Sequence, residues 1–416
     1  MSPTNLPNPI PFSEPPYLRG LPSPYYTEGH LRFQKACRAF LWENLISHAT
    51  EWEKAGQVPD HMARSGLAGP GTSLSAGFAF GIPPVLKYAS RELQERMLPD
   101  MLTGRKRTCI AITEPEAGSD VANITTTRPS LPMGSFTSLT GRRSGMFYVP
   151  GFFYSLSAFL VCDVFAMLCF GITNGIWSDY TTMAVRTGGP GAAGLSVMVV
   201  PLKGYPGVSM RPIHVSGSKT SGTTYIELDD VKVPVENLIG REGDGMRIIM
   251  TNFNHERLTI SVQCTRQARV ALSAAFGYCM KREAFGKTLM DQPVVRHRLA
   301  KAGAELETVS AWVEQILYQL SKLEKKEADR LLGGVTAMAK AKAAMVLNEC
   351  AQCAVLLFGG AGLTQSGQGE LVEAIMRDVP VARIPGGSED VLLDLAVRQL
   401  VKIYQTQEKK LGQAKI

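Results

Sequence analysis

The sequence predicts an α+β fold in which helical regions at both ends of the chain enclose a β-domain. Three observations carry this. Residues from about 30 to 105 read as helix, with Gly81, Pro83 and Pro84 opening a segment that ends near Leu102-Thr103-Gly104. From about 108 to 127, and again from 180 to 240, β-branched runs alternate with Gly/Pro/Asp turns, as in Leu195 to Pro201, Val208 to Val215 and Thr223 to Leu228. After Gly245 the spacing changes. Met246, Ile249, Met250 and Phe253 fall three or four apart on one helical face. Helical pattern then continues almost to the C-terminus, interrupted at Gly286, Gly333-Gly334, Gly359-Gly360 and Pro385-Gly386-Gly387. The expected domains are 1–107 (helical), 108–240 (a β-barrel or sandwich) and 241–416 (a helical bundle).

Composition narrows the function classes. At 416 residues, with 45% hydrophobic and 19% charged, the chain has the make-up of a globular enzyme. Its net charge of +7 is dispersed, with no dense Lys/Arg block of the kind that tracks nucleic acid. A mild positive field suits a polyanionic ligand. The eight cysteines are scattered and no signal peptide is expected, which points to free thiols in a reducing compartment. Cys350 and Cys353 form a C-x-x-C inside an Ala-rich helical run without a second Cys pair or a nearby His, so they read as core thiols and no metal is expected. The Pro-rich, Arg-poor first thirty residues argue against a mitochondrial transit peptide. The terminal Ala414-Lys415-Ile416 resembles a small-basic-aliphatic peroxisomal address; a mitochondrial or cytoplasmic location is the alternative.

Three dense motifs remain. Thr113-Glu114-Pro115-Glu116-Ala117-Gly118-Ser119-Asp120 combines hydroxyls with a glycine that allows close backbone approach. Arg282-Glu283-Ala284-Phe285-Gly286-Lys287 is followed by Gln292, and Phe358-Gly359-Gly360-Ala361-Gly362 by Arg377-Asp378 and Ile384-Pro385-Gly386-Gly387-Ser388. In this order and spacing they resemble the acyl-CoA dehydrogenase family over roughly 80–127 and 172–405.

The resemblance implies a C-terminal four-helix bundle, FAD, a homotetramer or homodimer, and α,β-dehydrogenation of an acyl-CoA thioester. It places Ile110, Ile112, Thr113 and Ser119 along the flavin, with Ser119 also near substrate, and Thr173 against the isoalloxazine. Arg282, Phe285, Gln292, Gly359 and Gly360 are expected at the adenine and pyrophosphate half, and Ser388 and Asp390 near the cofactor. Leu356 replaces a frequent Gln. Either an electron-transfer flavoprotein or oxygen is expected to take the electrons.

Removing an α-proton beside a thioester requires a partly desolvated general base. Many members carry that glutamate just before the glycine of a C-terminal E-G-T/S motif, where this chain has Gly386. Another branch, including isovaleryl- and long-chain-type enzymes, carries it on the long helix directly before an Arg. Here that context is Phe253-Asn254-His255-Glu256-Arg257-Leu258. Glu256 is the expected base, and Phe253, Asn254 and Arg257 the expected substrate-pocket residues. The alternative makes Glu256 an ion-paired surface residue, and Glu389 is a rival carboxylate. Competing functions are a flavin-binding member without dehydrogenase activity and a flavin oxidase.

Two stretches depart from the family. Residues 147–172 are almost continuously apolar, with Asp163 the one charge, long enough for a membrane helix but without flanking topology signals. Codons able to encode Met133 to Gly145, read one nucleotide earlier, can spell the family's strand D-G-K-F-Y-I-V-N-G-E-K-K-W. The expectation is that 128–171 is an anomalous insertion or a frame-shifted or mis-spliced segment, with a native buried segment as the alternative, and no membrane span is expected. Near Val58–Met62 relatives carry some thirty more residues, including a Gly-Gly loop beside the flavin.

Overall fold

The computed structural model describes residues 9–56, 77–114, 117–126, 136–143 and 172–413. The junction at 58–62, Pro115-Glu116, the apolar run 147–171 and the tail 414–416 lie outside these. The chain divides into two compact units, Met1–Asn44 with Phe253–Ile416, and Leu45–Asn252.

Leu45–Asn252 begins with helix α2 (Ala49–Ala55) and, after a π-helical turn at Gly77–Gly81, continues with α3 (Ile82–Tyr88) and α4 (Arg91–Leu102). The single helix expected from Gly81 to Leu102 is therefore two. Ser90 makes the break by capping α4, its hydroxyl accepting from Leu93 N–H at 3.2 Å. The Gln94 side chain donates to the last carbonyls of the preceding segment, those of Leu86 and Ala89 at 3.2 and 3.1 Å.

The β-domain holds two sheets, ordered β1-β3-β4-β7 and β2-β6-β5. Their strands are β1 (Thr108–Ala111), β2 (Phe136–Arg143), β3 (Tyr180–Arg186), β4 (Leu195–Pro201), β5 (Val208–Pro212), β6 (Thr224–Pro234) and β7 (Leu238–Ile239). Cys109, Met183 and Met198 from one sheet and Ile226, Leu228 and Val231 from the other share one buried cluster, so the arrangement is a sandwich. Between 108 and 127 strand character stops at Ala111, because the chain beyond is held by a side chain instead of a neighbouring strand. Buried Glu114 accepts from Thr125 N–H, Thr125 Oγ1–H and Thr126 N–H, each at 2.8 Å. The segment read as frame-shifted contributes β2, antiparallel to β6, with Leu139 opposite Val231.

The other unit is helical. Helix α1 (Glu28–Asn44) brings Arg38, which forms a bidentate pair with buried Glu14 at 2.7 and 2.9 Å. Helices α5 (Gly245–Cys279, of which Phe253 onward belongs here), α6 (Pro293–Lys322), α7 (Lys325–Phe358) and α8 (Glu370–Arg383) share one core containing Leu272, Leu306, Leu347 and Val372. A further helix, α9 (Glu389–Gln413), packs Leu392 and Ala396 against Ala337 and Ala341 of α7. Cys350 and Cys353 lie buried in α7 with free thiols facing the Ala302 and Arg298 carbonyls of α6. By length and composition α7 could cross a bilayer, but half of its apolar window is buried in this bundle.

Candidate active site

Glu256 lies on α5, and its helical neighbours decide which way it faces. Leu258 and Ile260 enter the bundle core and His255 faces solvent, which puts Glu256 on the inner side at 8% exposure. Burial pushes its carboxyl up to about 7, against the opposing pull of the Arg257 and Lys340 charges. Ionised and protonated forms therefore coexist near neutral pH, as a general base requires.

Opposite the carboxylate lies the turn between α8 and α9. Gly386 adopts φ +71°, and a Cβ added there would sit 3.8 Å from Glu256 Oε1 and 3.1 Å from Ile260 Cδ1. A side chain at 386 would thus reach the space that the Glu256 carboxylate fills. The two positions that sequence reasoning treats as alternatives converge in space. Glu389, the rival carboxylate, is ion-paired with Arg383.

Arg257 is buried, with its Nε–H on the Gly386 carbonyl at 2.9 Å and Nη1–H on Asn254 Oδ1 at 3.3 Å. Its guanidinium carbon lies 5.6 Å from the centre of the Phe253 ring. The three residues expected to line a substrate pocket thus form one group, with Arg257 engaged by the turn. Sequence reasoning missed Lys340. It is wholly buried on α7, donating to the carbonyls of Arg383 at 2.8 Å and Gly387 at 2.7 Å. Burial lowers the ammonium to about 8, with Cys264, Glu256 and Glu389 pulling upward and Arg257 downward. The signal was its position among Ala337, Ala341 and Ala344, which are buried on the same helix at three- and four-residue spacings.

The remaining residues of this unit lie at its surface. Phe285 is 94% exposed with φ +57° and, with Gly286 at φ +74°, turns the hairpin between β8 (Glu283–Ala284) and β9 (Lys287–Thr288). Arg282 precedes the hairpin and is exposed, and half-buried Gln292 leads into α6. Gly359, at φ +60°, and Gly360 are exposed past the end of α7, with open space where a Cβ would project. Half-buried Ser388 and exposed Asp390 start α9.

In the β-containing unit, Ile110 and Ile112 line a small apolar cavity with Pro84, Ile248, Ile249 and Asn252. Asn252 donates to the Phe80 carbonyl at 3.1 Å, while its buried Oδ1 has no protein partner among the described residues. Thr113 is half-buried and Ser119 exposed, at the two ends of the motif that Glu114 ties down. Half-buried Thr173 lies between Ile172, which bridges to Thr224, and Asn174, which is left-handed at φ +66° and also has an orphaned buried Oδ1.

The chain has counterparts among known proteins. The family described as acyl-CoA dehydrogenase, C-terminal domain, matches residues 243–401. The chain is 63% identical to acyl-CoA dehydrogenase apdG of Emericella nidulans, covering 98% of this chain and 99% of that protein. It is 28% identical to the mitochondrial long-chain specific acyl-CoA dehydrogenase of Mus musculus, over 90% and 87% of the two chains. The crystal structure of acyl-CoA dehydrogenase from Geobacillus kaustophilus superposes with a TM-score of 0.77 at 26% identity, covering 91% of this chain and all of that one.

Proposed function

Because the chain belongs to the acyl-CoA dehydrogenase family, we propose that it is an FAD-dependent enzyme that dehydrogenates an acyl-CoA thioester between its α- and β-carbons, with Glu256 as base. The observation that carries this reading is the Glu256 carboxyl, buried beside the bare turn at Gly386 and raised to about 7. Above that pH the carboxylate is ionised and can take the α-proton. Once protonated it is neutral in a site where burial disfavours charge, so desolvation helps the transfer. Gly386 leaves the approach to Oε1 free of a side chain, and Arg257 fixes the carbonyl of that residue.

The residues present fit FAD. The Gly359-Gly360 turn leaves backbone bare for close approach by a polar group, and Phe285 offers an uncovered ring. The orphaned Oδ1 atoms of Asn174 and Asn252 are acceptors without a donor among the described residues. Ile110, Ile112, Thr113, Ser119 and Thr173 would hold the flavin, with Ser119 also near substrate. Arg282, Phe285, Gln292, Gly359 and Gly360 would hold the adenine and pyrophosphate half, and Ser388 and Asp390 would lie near the cofactor. The bound flavin supplies acceptance of the β-hydride. Phe285, Leu356 and Leu363, at 94, 64 and 73% exposure, support association with further copies of the chain as a homodimer or homotetramer. An electron-transfer flavoprotein or oxygen would reoxidise the enzyme.

One observation favours a second reading, a flavin-binding member without dehydrogenase activity. The comparison with apdG extends over 458 aligned positions, more than the 416 residues of this chain, so that relative carries residues this chain lacks. One experiment separates the two. Reconstituted protein is mixed anaerobically with a panel of acyl-CoA thioesters while visible flavin absorbance is followed. Bleaching by wild type and none by Glu256→Gln, with equal FAD content, supports the dehydrogenase. FAD retention without bleaching supports the second reading, and normal bleaching by Glu256→Gln refutes the base assignment.

A further inference from the structure

We propose that Lys340 is a positioning residue for the dehydrogenation, holding the turn 383–387 in register against the Glu256 carboxylate. The inference rests on the functional reading above, but its geometry stands by itself.

The turn is poorly provided with internal support. Arg383 closes α8, so its carbonyl lies in the last turn, where helical carbonyls lack an intrahelical donor. Gly386 and Gly387 follow at φ +71° and +105°, conformations that give the chain its sharp reversal and much freedom when it is not held. Two buried cations supply the hold. Lys340 Nζ, from α7, donates to the carbonyls of Arg383 at 2.8 Å and Gly387 at 2.7 Å. Arg257 Nε, from α5, donates to the Gly386 carbonyl at 2.9 Å. Carbonyls at both ends of the turn thus converge on one ammonium, with Gly386 between them facing Glu256 Oε1.

A wholly buried ammonium is costly unless its protons are used. A neutral donor could also satisfy carbonyls, but the charge adds a second effect. The groups facing Lys340 are Glu256, Arg257 and Cys264 of α5 and Glu389 of α9, the last also paired with Arg383 of α8. Lys340 is one of the two cations that restrain the rise of the Glu256 carboxyl. Holding the turn and holding the base in its ionisable range are therefore two consequences of one side chain. A structural cap alone would deliver only the first.

The test compares wild type with Lys340→Met, which keeps the length and loses donors and charge, in the full FAD-loaded chain. Lys340→Gln, with a shorter neutral donor, is the second variant where Lys340→Met does not fold. We expect unchanged FAD content and an acidic limb of the anaerobic reduction rate that moves up by about one pH unit. The plateau rate is expected to fall by about tenfold, because the turn no longer fixes the geometry beside the base. Hydrogen exchange, read by mass spectrometry on peptides covering 384–388, should accelerate about tenfold locally. A lower thermal midpoint with limb, plateau and local exchange unchanged would overturn the proposal. If wild type reduces no acyl-CoA, the functional reading has failed separately. Exchange at 384–388 then decides the staple alone, acceleration supporting it and unchanged protection refuting it.

Discussion

Replacing Glu256 by glutamine should make the protein more stable above neutral pH while abolishing proton abstraction. The Glu256 carboxyl stands at about 7 in the folded chain against an ordinary value of 4.5. A group whose folded pKa is raised binds its proton more tightly in the native state, so native stability falls as pH rises through the interval between the two values. At about 1.36 kcal/mol per pH unit, the step from 4.5 to about 7 corresponds to a cost of about 3 kcal/mol for the ionised form. Glutamine preserves the shape and removes that cost. That figure already includes the attraction between the Glu256 anion and the charges of Arg257 and Lys340, so the gain expected above neutral pH is about 3 kcal/mol. Urea midpoints of wild type and Glu256→Gln, with FAD and without, should therefore coincide near pH 4.5 and separate in favour of the variant by pH 8. Equal separation at both pH values would remove titration as the cause. A variant less stable than wild type at pH 8 would refute the burial argument.

Three further outcomes follow from the same geometry. Gly386→Ala should cost about 1–2 kcal/mol for the left-handed backbone and slow flavin reduction, because its Cβ would press on Ile260 beside the carboxylate; thermal midpoint and reduction rate check the two effects. Glu114→Ala should cost about 2–3 kcal/mol by orphaning the Thr125 and Thr126 amides and lower FAD affinity, measured by flavin fluorescence titration, through release of the 113–120 motif. Sequencing the transcript across the codons for 128–171 should yield a reading frame encoding the family's strand, whereas a tryptic peptide mapped within 146–171 would refute the frame-shift.

What was legible in the sequence was chemistry that depends on residue type and order. Glu256 is the expected base because a carboxylate directly before an arginine, on the helix that follows the β-domain, coincides with a glycine at 386. The structure brings the two positions together: a Cβ at Gly386 would meet Ile260 Cδ1 at 3.1 Å and lie 3.8 Å from Glu256 Oε1. Roles that depend on tertiary approach were not legible. Lys340 reads as one lysine in an Ala-rich helix, and only the fold brings it to carbonyls 43 and 47 residues later in the chain. Arg257 is expected at the substrate pocket because of its neighbour, and only the fold shows its hydrogen bonds to Gly386 and Asn254. Glu114 read as part of a ligand loop and instead accepts amides that replace a strand pairing. In each case the charged group satisfies backbone that the local sequence leaves unpaired, and such debts become visible only when the turn and its donor are seen together. A carboxylate kept near its own neutral point needs such surroundings, since the burial that raises it would become prohibitive without nearby cations, and cations need carbonyls to be buried at all. Glu256, the two cations and the glycine turn are for that reason one electrostatic unit, of which the sequence singles out Glu256, Arg257 and Gly386 but not Lys340.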